Sequence, residues 1–429
     1  MTARPQDGPW RSRDFRLLVA GQTVTQLGTD VTTLAFPLVA VLLLDATPWQ
    51  LGLLVAVQNG AFLLVGVPAG VWLDRRRLRP VLIASDLVRC AALVTVTVAA
   101  ALSRLSLPLL LAVAGVMAVM RVLYDIGHQS YLPMVLGRRH LLRGNSAVET
   151  VRSSGQIAGP GLGGWLTQLV GATNTLLVDA VSFLLSAACL ARIRTREPAP
   201  RRTGRSGVVS EARDGLAFVL AHPVLRAIAA TSAWSNLLFT AATALLVLFL
   251  VDTGFAPGTA GMLLSTAPAA ALLGAATATR LARRVGSARV IWLSLVVTSP
   301  ANLLIPLTRP GWGAVAFVAG IVVGGIGQVV YGIAQVTYRQ TVVPDRLLCR
   351  VNASMRFLVM GAMPLGGLLG GVLGDALGVR TTLLVIGVGL TLAPVPLLLS
   401  PLRRVRDLDE LASRPVGGAP PVTTASMGS

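Results

Sequence analysis

The chain has 429 residues, 54% of them hydrophobic and only 13% charged, with a mean hydropathy of +0.71. Soluble domains carry roughly 25% charged residues, so a water-soluble globule is excluded as the default. The formal net charge is +19, but the arginines punctuate long apolar runs instead of forming one basic face. That pattern argues against nucleic acid as a partner and points to a lipid bilayer.

All 37 basic side chains are arginine and none is lysine. A Walker A loop needs its lysine on the nucleotide phosphates, so the chain carries no ATP motor of that class. Schiff-base chemistry is excluded on the same ground. Cys90, Cys189 and Cys349 form no CxxC and are read as free thiols. No HExxH or metal-ligand cluster is present, and neither a cofactor nor an enzymatic activity is expected.

In chain order, Met1–Arg16 is polar and basic and lacks a signal-peptide core. Apolar runs long enough for a hydrocarbon core of roughly 30 Å then fall at about 15–44, 49–73, 80–102, 106–136, 146–169 and 173–193. After a polar stretch, six more fall at about 223–251, 257–281, 288–307, 312–338, 351–375 and 379–401. The expected fold is an all-α membrane protein of twelve transmembrane helices in two pseudo-symmetric six-helix bundles. Its expected parts are an N-terminal tail 1–14, a first bundle 15–193, a linker 194–222, a second bundle 223–401 and a disordered tail 402–429.

Arginine content alternates from loop to loop. One side holds Arg75–Arg79, Arg138–Arg143, the Arg194–Arg213 stretch, Arg280–Arg289, Arg339–Arg350 and Arg403–Arg406; the other holds only Arg104, Arg309 and Arg380. Positive-inside logic places both termini and the linker in the cytoplasm, in a cell inner membrane. Trp49 and Trp312 are expected at the outer interface and Trp72 at the inner one.

The chain repeats itself. Tyr124-Asp-Ile-Gly-His-Gln-Ser-Tyr131 aligns with Tyr331-Gly-Ile-Ala-Gln-Val-Thr-Tyr338, and Asn145 falls on Asn352 at the same offset. Pro160-Gly-Leu-Gly-Gly164 meets Pro364-Leu-Gly-Gly367 after a shift of three residues. A parallel repeat implies halves related by an axis along the membrane normal, rocking about a midplane site.

Intramembrane charges are costly and point to function. Asp86 and Arg89, Arg121 and Asp125, and Glu149 and Arg152 are spaced to pair on their own helices. The last two pairs are expected to meet across the fourth and fifth spans as a proton-exchanging cluster, or to serve as structural ion pairs. Asp30 lies mid-span with no cation in reach on its own helix, which makes it the first candidate for proton coupling. Asp179, in the outer half of the sixth span toward the outer interface, is the second unpaired acid, and His128 is read as solvated near the inner interface, with proton relay beside Asp125 as the alternative. Gln26, Gln58, Asn59, Asn236, Gln328 and Tyr331 are the candidate substrate-cavity residues.

The loop Gly70-Val-Trp-Leu-Asp74-Arg75-Arg76-Arg77-Leu78-Arg79 resembles the major facilitator superfamily signature G-x-L-x-D-R-x-G-R-R, departing at Arg77 and Leu78. Gly70 would allow close helix approach, Asp74 would face a helix N-terminus, and the arginines would lock the gate. Gly155-Gln-Ile-Ala-Gly159-Pro160-Gly-Leu-Gly163-Gly164 resembles the G-x-x-x-G-P-x-x-G-G run of that superfamily's proton-coupled exporters. Gly28–Pro37, Asp179–Phe183 and Arg350–Phe357 are similar to its enterobactin-exporter and macrolide-efflux branch.

The resemblance implies a proton antiporter exporting a lipophilic or amphipathic small molecule, such as a drug or antibiotic. A siderophore or natural-product exporter is the alternative, and a non-transporting scaffold a remote one. Protons and the small molecule are the expected partners, and a monomer the expected state.

Overall fold

The structure is a computed structural model that describes residues 9–73, 75–136, 141–195, 197 and 208–407. Six long helices come first: α1 (Arg13–Leu44), α2 (Pro48–Leu73), α3 (Leu78–Ala101), α4 (Leu107–Leu136), α5 (Leu141–Val170) and α6 (Ala172–Arg192). A shorter helix, α7 (Val208–Ala221), follows. The second set is α8 (Pro223–Asp252), α9 (Pro257–Leu264), α10 (Thr266–Val285), α11 (Arg289–Thr298), α12 (Ala314–Val342), α13 (Asp345–Leu377), α14 (Val379–Thr391) and α15 (Val395–Leu399).

Among the described residues, eleven segments are long and apolar enough to cross a bilayer. α5 has the 30 residues of a spanning helix but carries Glu149 and Arg152 in its first half. It packs between α1 and α9 and completes the expected twelve spans. The fold is all helical, and the chain is a multi-pass membrane protein.

Three expected spans are interrupted, each at a proline that leaves a carbonyl without its N–H partner. Pro268 divides the eighth span into α9 and α10 at Ser265; after α11, Pro300 turns the ninth into 3-10 helix over Ser299–Leu307. Pro394 separates α14 from α15. α7 lies in the stretch expected as a linker, and Val219 on it is fully buried against the second half. There a Cβ on Gly215 would collide with the Arg350 carbonyl oxygen.

The internal repeat is visible in the packing. Tyr124, Tyr131, Tyr331 and Tyr338 are all buried, at 3% exposure or less. Tyr124 Oη donates to Gln22 Oε1 of α1 at 3.4 Å, while Tyr331 Oη shares a 2.7 Å hydrogen bond with Ser232 Oγ of α8. The fourth span thus holds the first in one half as the tenth holds the seventh in the other.

The two halves meet along two related seams, α5 with α9 and α13 with α2. Both lie toward the distal end of the bundle, the end away from the start of α1. A Cβ on Gly52 of α2 would fall 2.7 Å from Gly371 Cα and clash with the Gly367 carbonyl oxygen. Glycine is required at such positions because the backbones themselves touch. Trp49 N–H donates to Asp375 Oδ1 at 3.1 Å, and Gly258 N–H to Gln168 Oε1 at 3.2 Å. The distal end is therefore closed. Nearer the proximal end, the faces of α4 and α5 bearing Arg121, Asp125, Glu149 and Arg152 are exposed.

Candidate functional site

The exporter-like run on α5 divides into two faces. Gly155, Gly159 and Gly163 follow one another at i, i+4 and i+8 and press on α1. A Cβ on Gly155 would lie 2.5 Å from Asp30 Oδ2; one on Gly159 would strike Asp30 Cβ and come 3.0 Å from its carbonyl carbon. A Cβ on Gly163 would lie 2.8 Å from the Val31 carbonyl oxygen. Pro160 and Gly164 form the second face, toward α9. There a Cβ on Gly164 would sit 3.0 Å from Gly261 Cα, and one on Gly261 would strike the Pro160 carbonyl oxygen. α13 repeats the division, with Gly366 and Gly370 on α8 and Gly367 and Gly371 on α2.

Asp30 is half-buried at the centre of this arrangement. Gln26 Nε2, one turn earlier, donates to Asp30 Oδ2 at 2.9 Å. Arg121 of α4 and Arg152 of α5 both lie within electrostatic range of the carboxylate. The cations missing from its own helix are thus supplied by two neighbours. Arg121 Nε stands 3.8 Å from Asp125 Oδ2, with both side chains 58% exposed. Such an exposed pair contributes little stability.

Glu149 and Arg152 do not form the expected pair; both are exposed, and no ion pair joins them among the described residues. The i, i+3 spacing permits a contact, but open solvent offers each charge an equal partner.

The gate loop is only partly described. Asp74 lies outside the described residues. A Cβ on Gly70 would meet nothing within 4 Å, so Gly70 serves no close helix approach in this conformation. Arg75 is exposed. The arginine that does engage a helix C-terminus is Arg79, whose guanidinium donates to the carbonyls of Leu190 (2.8 Å) and Ala191 in α6. Glu197 accepts the first N–H groups of α3, from Leu78 at 2.6 Å and Arg79 at 2.8 Å. The expected lock is therefore a clasp within the first half.

The cavity candidates separate. Gln26 and Asp30 form one polar unit. Gln58 is exposed, whereas Asn59 donates to its own helix at Val55 O, 2.9 Å away, and Asn236 to Ser232 O, 2.8 Å away. Gln328 lines a cavity of about 160 Å³ with Ser235, Phe239 and Asn302. Tyr331 is a correction: it is 2% exposed, its hydroxyl is held by Ser232 and by Ile228 O at 3.2 Å, and it belongs to the core of the second half.

Two further expectations change. His128 is 6% exposed and stacked on Tyr124 at 5.8 Å instead of being solvated. Asp179 is wholly buried and faces Gly28, mid-way along α1. Asp86 and Arg89 do pair, and the guanidinium lies between the rings of Tyr124 (4.6 Å) and Phe183 (4.2 Å). One contact between halves had no signal in the spacing: Arg356 of α13 lies 5.0 Å from the Phe62 ring centroid of α2.

Comparisons with known proteins agree with this architecture. The transmembrane secretion effector family matches residues 6–425. The multidrug efflux pump Tap of Mycolicibacterium fortuitum is 29% identical over 419 residues, covering 94% of this chain and 97% of that one. The Tap pump of Mycobacterium tuberculosis H37Rv is 28% identical over the same shares. An uncharacterized MFS-type transporter, YfiS of Bacillus subtilis, is 25% identical over 86% of this chain and 89% of its own.

Among solved structures, a bacterial homologue of the lysosomal transporter Spinster, inward-facing and unoccupied, superposes with a TM-score of 0.72 at 16% identity. That match covers 93% of this chain and 98% of the other. A bacterial homologue of the iron transporter ferroportin gives 0.69 at 16% identity, over 90% and 98%. Helix order, paired glycine seams and the full-length match converge: the chain belongs to the transmembrane secretion effector family of the major facilitator superfamily and is a transporter, not an enzyme.

Proposed function

We propose that the protein is a proton-coupled antiporter that exports lipophilic or amphipathic small molecules, drugs and antibiotics among them, by alternating access. The observation that carries this reading is the seating of Asp30 on Gly155 and Gly159. One face of α5 reads the state of a mid-span carboxylate, and the adjacent face, Pro160 and Gly164, seals the halves against α9.

The mechanism follows from charge. An ionised Asp30 is attracted to Arg121 and Arg152, and a neutral one is not. Taking up a proton releases α1 from the two arginines. α5 touches α1 backbone to side chain with no slack, so a shift of α1 is passed to the Gly164–Gly261 contact. Packed interfaces switch between discrete arrangements instead of deforming continuously. Substrate would enter beside Gln26, Gln58 and the exposed faces of α4 and α5. The similarity to the Tap pumps over 94% of the chain supports an efflux role.

The arginine-rich loops support an orientation with both termini in the cytoplasm of an inner membrane. In that orientation the closed distal end faces outward and the conformation is open to the cytoplasm. Nothing in the site calls for a second copy, and transport by a monomer is proposed.

A susceptibility panel in an efflux-deficient bacterial host tests the reading. Expression is expected to raise tolerance to at least one lipophilic antibiotic fourfold or more, with the rise abolished by a protonophore. Unchanged tolerance across macrolides, tetracyclines, lipophilic cations and siderophore-loaded media would contradict it.

A further inference from the structure

Asp30 marks one face of α1, and a second carboxylate borders the other. Gly28 lies two residues earlier, about 200° around the helix and roughly 3 Å along it. A Cβ on Gly28 would strike Asp179 Oδ1 and Ser182 Oγ of α6 and lie 2.9 Å from Ser182 Cβ. At one depth, α1 therefore presents its own Asp30 to α5 on one face and meets Asp179 of α6 on the other.

The surroundings of Asp179 hold too little positive charge. Asp179 and Asp86 are both 0% exposed and Arg89 is 3% exposed. Arg89 is paired with Asp86, accepted at 3.4 Å by Ser85 O, and enclosed by two aromatic rings. Asp179 receives a hydrogen bond from Ser182 Oγ at 2.8 Å, and the Thr32 hydroxyl of α1 also lies beside it. It lies within electrostatic range of both Asp86 and Arg89.

The remaining groups facing the Asp86–Arg89–Asp179 cluster add no cation. From α3 they include the Cys90 thiol and from α4 the Tyr124 phenol, with His128 stacked behind. α1 presents the hydroxyls of Thr25 and Thr32, and α5 meets α6 through Thr167 and Thr175. Oδ2 of Asp86, Oδ2 of Asp179 and the hydroxyl of Thr25 are buried with no hydrogen-bond partner, and the Thr32 and Ser186 hydroxyls lie beside Asp179 and Asp86.

Two buried carboxylates facing one guanidinium leave a net charge of −1, and an uncompensated buried charge is among the costliest features a membrane protein can carry. We propose that the Asp86–Arg89–Asp179 cluster is a second proton-binding site of the transporter, holding one proton on its carboxyl pair, chiefly at Asp179. A proton neutralises the excess charge without placing a second full cation beside Arg89. It also turns a carboxylate oxygen into a donor for the neighbouring hydroxyls of α1. Two proton-holding carboxyls would then lie on opposite faces of α1, its own Asp30 and Asp179 of α6. The inference extends the proton-coupled reading above, but its test does not depend on transport.

The test is infrared spectroscopy of the purified full-length protein in sodium-free buffer at neutral pH, reading the C=O stretch of protonated carboxyls. Asp179→Asn or Asp86→Asn each leaves one carboxylate to one guanidinium and needs no extra proton. Each is expected to remove one carboxyl's absorbance, while Asp30→Asn leaves that component in place. The two variants act on different helices, so misfolding of one leaves the other informative. Unchanged absorbance in a folded Asp179→Asn or Asp86→Asn variant would overturn the proposal. A component controlled by sodium chloride at constant pH would do the same, identifying a metal-cation site instead. Failure of Asp30→Asn to alter transport would count against the function proposed for Asp30 and leave this result standing.

Discussion

Gly164 of α5 and Gly261 of α9 meet backbone to backbone across the two halves, so close that a Cβ on Gly164 would stand 3.0 Å from Gly261 Cα. No side chain mediates the contact, so its closure is all or none. Gly164→Leu forces atoms into this seam at a cost of roughly 1–3 kcal/mol. The variant is expected to fold, since each half keeps its own core. Its closed-distal-end population should fall about tenfold, seen as a longer spin-label distance between the distal ends of α5 and α9. An unchanged distance distribution would contradict the seam's role.

The same helix offers a contrast one residue away from the seam. Gly159→Ala pushes on Asp30, not on α9. The added methyl holds Asp30 off the close fit that passes its movement to the seam, so distal closure should persist while pH-driven export drops at least tenfold. Equal loss of both properties would mean that the two faces of α5 are not separable.

Tyr331→Phe separates core from cavity. The hydroxyl shares a 2.7 Å bond with Ser232, and its removal is expected to cost about 1 kcal/mol of stability. Drug export should stay within about twofold of the parent, since the ring remains in place. A change in substrate preference would restore Tyr331 to the cavity wall.

His222 caps α8: its Nδ1 accepts from Leu225 N–H at 3.4 Å, which requires a neutral ring. Burial holds its pKa below the ordinary 6.5. The folded state then binds fewer protons than the unfolded one near that value, so stability rises with pH. The cap contributes fully above about pH 6.5 and is lost as pH falls through the lowered value. Hydrogen exchange at the first turn of α8, corrected for intrinsic rates, should accelerate on acidification from pH 7 to pH 5. His222→Asn, which caps without titrating, should abolish the acceleration; a persistent acceleration would exclude His222 as its source.

Much of this architecture can be read from residues alone. Spans are written in apolar length, and the Tyr124–Tyr131 repeat of Tyr331–Tyr338 anticipates halves that pack alike. Asp30 is legible because a mid-span acid with no cation on its own helix is anomalous at any register. Pro268, Pro300 and Pro394 were equally visible, yet hydropathy averages across them, and the breaks follow from single missing N–H groups.

What stays hidden depends on long-range partners. Tyr331 looks like a cavity residue until Ser232, 99 positions away, claims its hydroxyl. Glu149 and Arg152 look paired because spacing reports what is possible, not what competes. The burial of Asp179 is set by Gly28 and by Asp86–Arg89 on two other helices, which no local pattern encodes.

Proton coupling to export is proposed to run through the Asp30 carboxylate. The most direct measurement is efflux from liposomes reconstituted with a lipophilic cationic drug under an imposed pH gradient, comparing the parent with Asp30→Asn. The parent should accumulate drug against its gradient only while the pH difference lasts. Asp30→Asn should bind the drug with similar affinity yet lose at least ten-fold of gradient-driven transport. Gradient-driven transport at the parental rate in Asp30→Asn, or parental transport that ignores the gradient, would contradict it.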